Sequence, residues 1–435
     1  PAPPGITPQP TLGYATPVAG LQPPSSGNVT SNNSVDVELY NLINEVEVDR
    51  LLSHVYELEN FHTRHVNSSQ TDPNRGVGAA ANYILNQFQT ISSQSNGNFT
   101  AFPQQFNAFY NGERTSQRNI IGLLNGTEAG AGIVIIGAHY DSRTDDLNDA
   151  TGFAPGADDN GSGVAAIIEL ARVLSTRPMR SSVVFVLFAA EEVGRQGSEA
   201  FVELYIEGRG LSDQVVAMLN IDTIGSNNTS TNIINDYQIR IYSDDDSTNQ
   251  SPARHLARTV EFIGINHPLP LEIDMKSSAD REGRYGDHFS FTNRGYPAIR
   301  FIEAVEDNYN REGRDTREHI EPEYFMRTTQ TILTVLKAIA DGPRPPRQVV
   351  LRDNGTQDEN GDPQYTLIWD PVPGATNYMV ALRRQGSSQY DQSFVWPTTQ
   401  TDPWAGFGAF EAVAISAVDE SGLIGPVSQE FIIRR

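Results

Sequence analysis

The chain of 435 residues contains no cysteine. That absence excludes disulfides, thiolate metal ligands and a cysteine nucleophile, while leaving the cellular compartment open. Positive charge is scarce. Lys and Arg number 31 against 54 Asp and Glu, a formal net charge of -23, which argues against nucleic acid or an anionic membrane surface as a partner. No run approaches the roughly 20 apolar residues of a membrane-spanning helix. What remains is an acidic chain, long enough for two or three domains with sizeable cores.

Composition changes along the chain. Residues 1–35 are rich in Pro, Gly, Ser, Thr and Asn, with Pro-Pro pairs at 3–4 and 23–24, and read as a flexible tail. That tail, a first residue that is Pro, and triplets such as Asn67-Ser68-Ser69 lead to the expectation of a secreted or cell-surface protein, bacterial in origin. Between 36 and 110 the reading is mostly helical: Val37, Leu39, Leu42, Ile43 and Val46, then Leu51, Leu52, Val55 and Leu58, then Val77, Ala80, Ile84, Leu85 and Phe88 recur at helical spacing. Apolar runs at 118–124, 132–138, 182–190 and 215–219 read as strands, and a last helix covers about 322–340. Pro343-Arg344-Pro345-Pro346 then marks a boundary. Beyond it, short strands at 365–372, 377–383 and 410–419 with turn signals predict a small antiparallel sandwich.

Acid and imidazole side chains gather in short segments: His139-Tyr140-Asp141, Ala157-Asp158-Asp159-Asn160, Ala190-Glu191-Glu192 and Asn220-Ile221-Asp222. All but the second follow an apolar strand, and open α/β sheets bind ligands outside the carboxyl ends of their strands. The second is a loop that opens a helix, with Val164, Ile167, Ile168, Leu170, Ala171 and Leu174 on one stripe. Asp and Asn are also ordinary capping residues there. Imidazole with carboxylates is a ligand set that zinc accepts at open catalytic sites. Two cations about 3.5–4 Å apart can share an attacking water, and a carboxylate between them offsets their repulsion. A second Glu beside a ligand Glu suits a general base, and an Asp two residues after a ligand His suits the partner of its other ring nitrogen.

His-Tyr-Asp-Ser after a strand, Gly-Ala-Asp-Asp-Asn-Gly-Ser-Gly-Val, Ala-Glu-Glu-x-Gly-x-x-Gly-Ser and Asn-x-Asp-x-x-Gly, in this order, resemble the di-zinc aminopeptidase family that includes bacterial leucyl aminopeptidases. Glutamate carboxypeptidase and glutaminyl cyclase are related to that family. The resemblance spans 36–342 and implies a zinc peptidase domain built as a three-layer α/β/α sandwich with a mixed central sheet. It also implies Zn2+ as cofactor, as a pair of ions, and peptides as substrates. His139 and Asp222 would bind one ion, Asp158 would bridge, and Glu192 would belong to the other. Glu191 would be the general base and acid, with Asp141 the partner of His139. The implied activity is removal of N-terminal residues, with a carboxypeptidase or a glutaminyl cyclase-like enzyme as alternatives.

The last ligand departs from the pattern. Relatives place a His shortly before an Asp-Thr pair, but here Asn308-Tyr309-Asn310-Arg311-Glu312-Gly313-Arg314 precedes Asp315-Thr316. The first His downstream, His319, is the candidate, with Asn310 or an incomplete second metal site as alternatives. His288, in Asp287-His288-Phe289-Ser290-Phe291, is read as a supporting wall residue and second candidate. The altered loop also leaves room for a structural or assembly protein that no longer turns over. Residues 343–435 resemble a fibronectin type III domain, an immunoglobulin-like sandwich with Trp369 and Tyr378 in its core. Such a domain would act as a spacer, a cover, or a surface for self-association or other contacts. Arg281 and Arg284 are candidates for touching a substrate carboxylate, against the plainer reading of solvated loop arginines.

Overall fold

The computed structural model of the chain describes residues 37–433 apart from 247, 282–283 and 307–312. The tail expected at 1–35 and the ligand candidate Asn310 lie outside the described residues. The apolar runs become the middle of an eight-stranded mixed sheet. Its strands are β1 (Phe99–Tyr110), β2 (Glu113–Leu124), β3 (Ile133–His139), β4 (Ser182–Phe188), β5 (Val215–Ile221), β6 (Gln238–Tyr242), β7 (Glu272–Met275) and β8 (Ala298–Glu303). They lie in the order β1-β2-β4-β3-β5-β8-β6-β7. Within it β4, β3, β5 and β8 are parallel neighbours, while β2 meets β4 and β6 meets β8 antiparallel.

The helices are α1 (Val37–Ile43), α2 (Val48–Asn60), α3 (Gly76–Gln94), α4 (Gly163–Leu174), α5 (Gln196–Phe201), α6 (Pro252–Asn266), α7 (His288–Thr292) and α8 (Pro322–Asp341). None of those described is long and apolar enough to cross a membrane. Strands covered by helices on both faces must be apolar throughout, which is why β4 reads Val183, Val184, Phe185, Val186, Leu187 without a break, all buried. Alternate residues serve opposite layers. Phe185 packs on Phe99, and Phe99 on Phe88 of α3, with rings 5.9 and 5.6 Å apart. Val184, Val186 and Phe188 face the other way, against Phe201, Val202, Tyr205 and Ile206 and against Phe291 of α7. Each such buried side chain contributes about 1.5–3 kcal/mol.

The mostly helical reading of 36–110 fails at its end, where residues 99–110 form β1. Only Phe99, Phe106 and Ala108 are buried, and Pro103 interrupts the run, so the strand signal is weak. An edge strand tolerates both, since it donates to a neighbour on one side only.

Contacts divide the chain into two compact units. One comprises the start of α1, Arg258–Leu269 and Lys337–Arg435; the other comprises Leu42–Ala257 and Pro270–Leu336. By contacts, the latter part of α6 and the end of α8 group with the smaller unit, which also contains the Pro-rich segment at 343–346. Amphipathic spacing marks such helices as packed without saying on which partner.

This smaller unit holds antiparallel sheets: β9 (Val350–Gln357) with β10 (Pro363–Ile368), and β11 (Ala375–Arg383), β12 (Gln392–Trp396), β13 (Ala412–Asp419) and β14 (Phe431–Ile432) in the order β12-β11-β13-β14. Trp369 and Tyr378 are core residues, with rings edge to face at 5.3 Å and the Tyr378 hydroxyl accepting the Val372 amide at 3.0 Å. The other face of the four-stranded sheet packs Met379, Ala381 and Ala414 on Phe262 of α6.

His267 follows α6 and is buried in this unit, its Nε2 accepting the Ile424 amide at 3.3 Å. Burial lowers its pKa to about 4, and a ring that accepts at Nε2 must be neutral there. In the unfolded chain the imidazole titrates near 6.5, so the folded state holds fewer protons between the two values. The contribution is complete above about pH 6.5 and is lost as pH falls towards 4. Because the 3 Trp residues, Trp369, Trp396 and Trp404, all lie in this unit, denaturant unfolding followed by Trp fluorescence reports on it alone. We expect a loss on the order of 2 kcal/mol between pH 7 and pH 4 that His267→Gln reduces. An unchanged pH slope in the variant would discount the histidine.

Candidate metal centre

His139 closes β3 and projects into the crevice at the carboxyl ends of the parallel strands. Its Nδ1 lies 3.2 Å from the Asp141 carbonyl oxygen and 3.6 Å from Asp141 Oδ1. Its Nε2 lies 3.2 Å from Asp159 Oδ1 and 3.5 Å from Asp222 Oδ1. A proton on Nδ1 is thus directed at Asp141, and Nε2 is left to the group formed with the two acids. Burial by itself would lower the His139 pKa; hydrogen bonds that its ring donates to the carboxylates of Asp141, Asp159 and Asp222 outweigh it and raise the pKa well above the usual value.

Asp141 also ties strand ends together. Its carboxylate accepts the Glu191 amide at 3.0 Å and the Glu192 amide at 3.1 Å, so the turn after β4 is held against the end of β3. Glu191 is half-buried there, and burial together with the charges of Asp287, Glu192 and Asp222 pushes its pKa well up, against the opposing influence of His139. Glu192 accepts Arg143 Nε at 2.7 Å. Burial first and Asp159 next raise its pKa to about 7, with Arg143 opposing.

The turn Ala157–Ser162 separates its two acids, and the reading that turned Asp158 towards the metal position is corrected here. Asp158 and Asp159 give their amides to the two oxygens of the Asp315 carboxylate, each at 2.9 Å. Asp159 and Asn160, joined by a cis peptide bond, leave the helical region at φ -105° and -132°, and the chain changes direction between the acids. Asp159 reaches His139. Asp158 points away: its Oδ1 accepts the Gly225 amide at 2.7 Å, and its carboxyl hydrogen-bonds that of Glu303, whose Oε2 accepts the Ser226 amide at 2.9 Å. Burial raises both carboxyl pKa values, that of Asp158 to about 6, as expected for a buried pair sharing a proton. Arg64, fully buried, braces the approach to the turn by donating to the carbonyls of Tyr140, Pro155, Gly156 and Leu58.

Asp222 follows β5. Burial opposes its ionisation, but the His139 hydrogen bond and the charges of Arg300 and Arg284 hold its carboxyl well below the usual range. Arg300 on β8 is buried, 3.6 Å from Asp222 Oδ2 and 2.7 Å from Asp280 Oδ2. Gly286 lets the chain pass close to the site, since a Cβ would stand 2.8 Å from Asn220 Nδ2 and 3.1 Å from Asp222 Oδ2 and would press on both side chains.

Among the described residues, one group of His and acid ligand atoms lies within 4.8 Å of one another: His139, Asp159 and Asp222. One nitrogen and two carboxylates with repelling charges fit a divalent cation of zinc type with a position left open. His319 does not join them; it ends the turn Arg317–His319, its amide bonded to the Thr316 carbonyl at 3.0 Å. His288 is a buried wall residue at the start of α7, and burial together with Arg300 keeps its ring neutral. Asp159, Arg300, Glu303 and Arg64 were not singled out from sequence. The adjacent Asp158 and Asp159 differ only in direction, and buried arginines carry no local signature.

A mixed sheet with an imidazole-carboxylate centre at its parallel strand ends defines a metallohydrolase. The profile of peptidase family M28 matches residues 119–336. A probable zinc metalloprotease of Pyrenophora tritici-repentis is 30% identical over 373 residues, covering 78% of this chain and 83% of that protein. Another from Pyricularia oryzae is 30% identical over 403 residues, covering 82% and 76%. Among solved structures, the LapA aminopeptidase of Legionella pneumophila shares the fold at a TM-score of 0.56 and 20% identity, covering 69% of this chain and 74% of that one. An aminopeptidase from Aneurinibacillus sp. strain AM-1 does so at 0.51 and 15%, covering 70% and 96%. The chain belongs to peptidase family M28 and is a zinc metallopeptidase. These sequence relatives are fungal, so the expected bacterial origin finds no support.

The opposite directions of the paired acids generate a prediction. Asp159→Asn should lose zinc on dialysis that the unmutated protein withstands, whereas Asp158→Asn should retain it; metal per chain by mass spectrometry decides. Retention in Asp159→Asn with loss in Asp158→Asn would make Asp158 the ligand.

Proposed function

We propose that the chain is an exopeptidase that removes N-terminal residues from peptides. The observation that carries the hydrolytic step is the placement of Glu191: its backbone is pinned by Asp141, the residue that also faces His139, and its carboxyl is held at a raised pKa beside the ligand group, while the likeness to aminopeptidases of the same fold supports removal of N-terminal residues. A carboxylate with a pKa moved towards neutrality is suited to accept a proton and return it. In this reading Glu191 takes the proton of the attacking water and passes it to the nitrogen of the departing amine. Zinc bound at these residues would supply Lewis-acid chemistry for the scissile carbonyl and that water.

His139, Asp159 and Asp222 would hold the first ion, with Asp141 orienting His139. We place Glu192 in a second site together with Asp159. In support, its carboxyl feels the Asp159 charge, though the Arg143 contact would have to be given up. The further ligand of that site would come from His319 or from the segment around Asn310. Arg300, drawing on the outer oxygen of Asp222, would limit how much charge that ligand gives to the ion.

Glu191→Gln tests the assignment. Hydrolysis of leucine p-nitroanilide should fall about a hundredfold to ten-thousandfold while zinc content is unchanged. Comparable turnover in this variant would remove Glu191 from the mechanism, and an unmutated zinc-loaded protein that releases no N-terminal residue from any peptide would end the aminopeptidase reading.

A further inference from the structure

Almost every guanidinium near the centre is already committed. Arg64 donates to four backbone carbonyls, Arg143 meets Glu192, and Arg300 meets Asp222 and Asp280. The carboxylate-binding candidates Arg281 and Arg284 are both occupied by Glu306, and Arg281 by Asp280 as well. Each already has a carboxylate partner.

Arg195 differs. Among the described residues its side chain makes no hydrogen bond and no ion pair, and its Nε is buried without a partner. It stands one helical turn beyond Glu191, with its amide bonded to the Glu191 carbonyl at 2.8 Å. Its φ is 56°, a left-handed conformation that costs a non-glycine residue about 1 kcal/mol or more. The guanidinium carbon lies 5.9 Å from the centre of the Tyr285 ring, and Tyr285 stands edge to face with Phe289 at 5.1 Å, next to His288. After burial and Arg300, the charge of Arg195 is a further influence that keeps the His288 ring neutral, which places it on the same wall. Tyr285 in turn adjoins Gly286, the residue packed on Asp222.

A guanidinium held in a strained turn beside the proposed base, next to a tyrosine ring and without an anion among the described residues, is a ready partner for a carboxylate, which it can grip with two parallel hydrogen bonds. We propose that Arg195 anchors a carboxylate of the peptide substrate, so that short peptides with a free C-terminus, or peptides with an acidic side chain near the cleaved bond, are favoured over neutral ones. This rests on the aminopeptidase reading and deepens it by naming a substrate class.

The test uses zinc-loaded Glu191→Gln protein, in which binding is measured without turnover. By calorimetry, Leu-Gly should bind about tenfold more tightly than Leu-Gly amide. Adding Arg195→Asn, which removes the guanidinium while tolerating left-handed backbone, should erase that difference, and Arg195→Lys should recover part of it. Leu-Asp amide against Leu-Asn amide separates a side-chain carboxylate from a terminal one. In the catalytically intact protein the same ratio should appear in kcat/KM, through KM. Equal binding of every acid and amide pair overturns the proposal, as does a loss in Arg195→Asn that falls equally on acid and amide, the mark of a purely structural arginine. Failure of the aminopeptidase reading is seen separately, as absent turnover with the binding contrast intact.

Discussion

Negative charge gathered in a poorly solvated crevice is the constraint on which the rest of this structure depends. Asp141, Asp159, Asp222, Glu191 and Glu192 surround a single imidazole, and buried carboxylates so close together repel. The fold offsets that repulsion with backbone amides: Asp141 accepts two, Asp315 two, and Asp158 and Glu303 one each. Guanidinium groups offset more of it, Arg143 at Glu192 and Arg300 at Asp222. The Asp158–Glu303 pair is relieved by sharing a proton. Asp159 and Asp222 meet at His139, in the group of ligand atoms that, among the described residues, is close enough to share a cation.

These devices also explain the rigidity that the site needs. The amides given to Asp141 and Asp315 come from the very turns that carry Glu191, Glu192 and Asp159, so each supporting carboxylate fixes the direction of a functional one. Hydrogen bonds from amide to carboxylate are stronger than neutral ones and persist where water is scarce. The core beneath is ordinary by comparison. Parallel apolar strands, sandwiched by helices, bring their carboxyl ends to one edge, and the chemistry is grafted onto that edge.

Much of this was legible in the sequence. Three central strands, β3, β4 and β5, announced themselves through apolar runs, because burial on both faces leaves little room for polar residues. Acids and a histidine directly after such runs had to emerge together at the strand ends. The edges were harder to read. β1, with Pro103 and one solvated face, gave a blurred pattern, and the latter part of α6 joins the C-terminal unit through a contact that no local spacing encodes.

The chain's own order of residues determined the parallel core, the acidic character and the identity of most groups around His139, since each follows from local pattern. Tertiary structure alone decided which of two neighbouring aspartates faces the metal position, because that depends on Asp315, more than a hundred residues away, holding both amides and turning the backbone between them. It alone decided that Arg281 and Arg284 both meet Glu306 while the Arg195 side chain, among the described residues, meets no carboxylate. Direction and partnership of side chains are set by long-range packing, and a linear pattern carries composition and period but not those contacts.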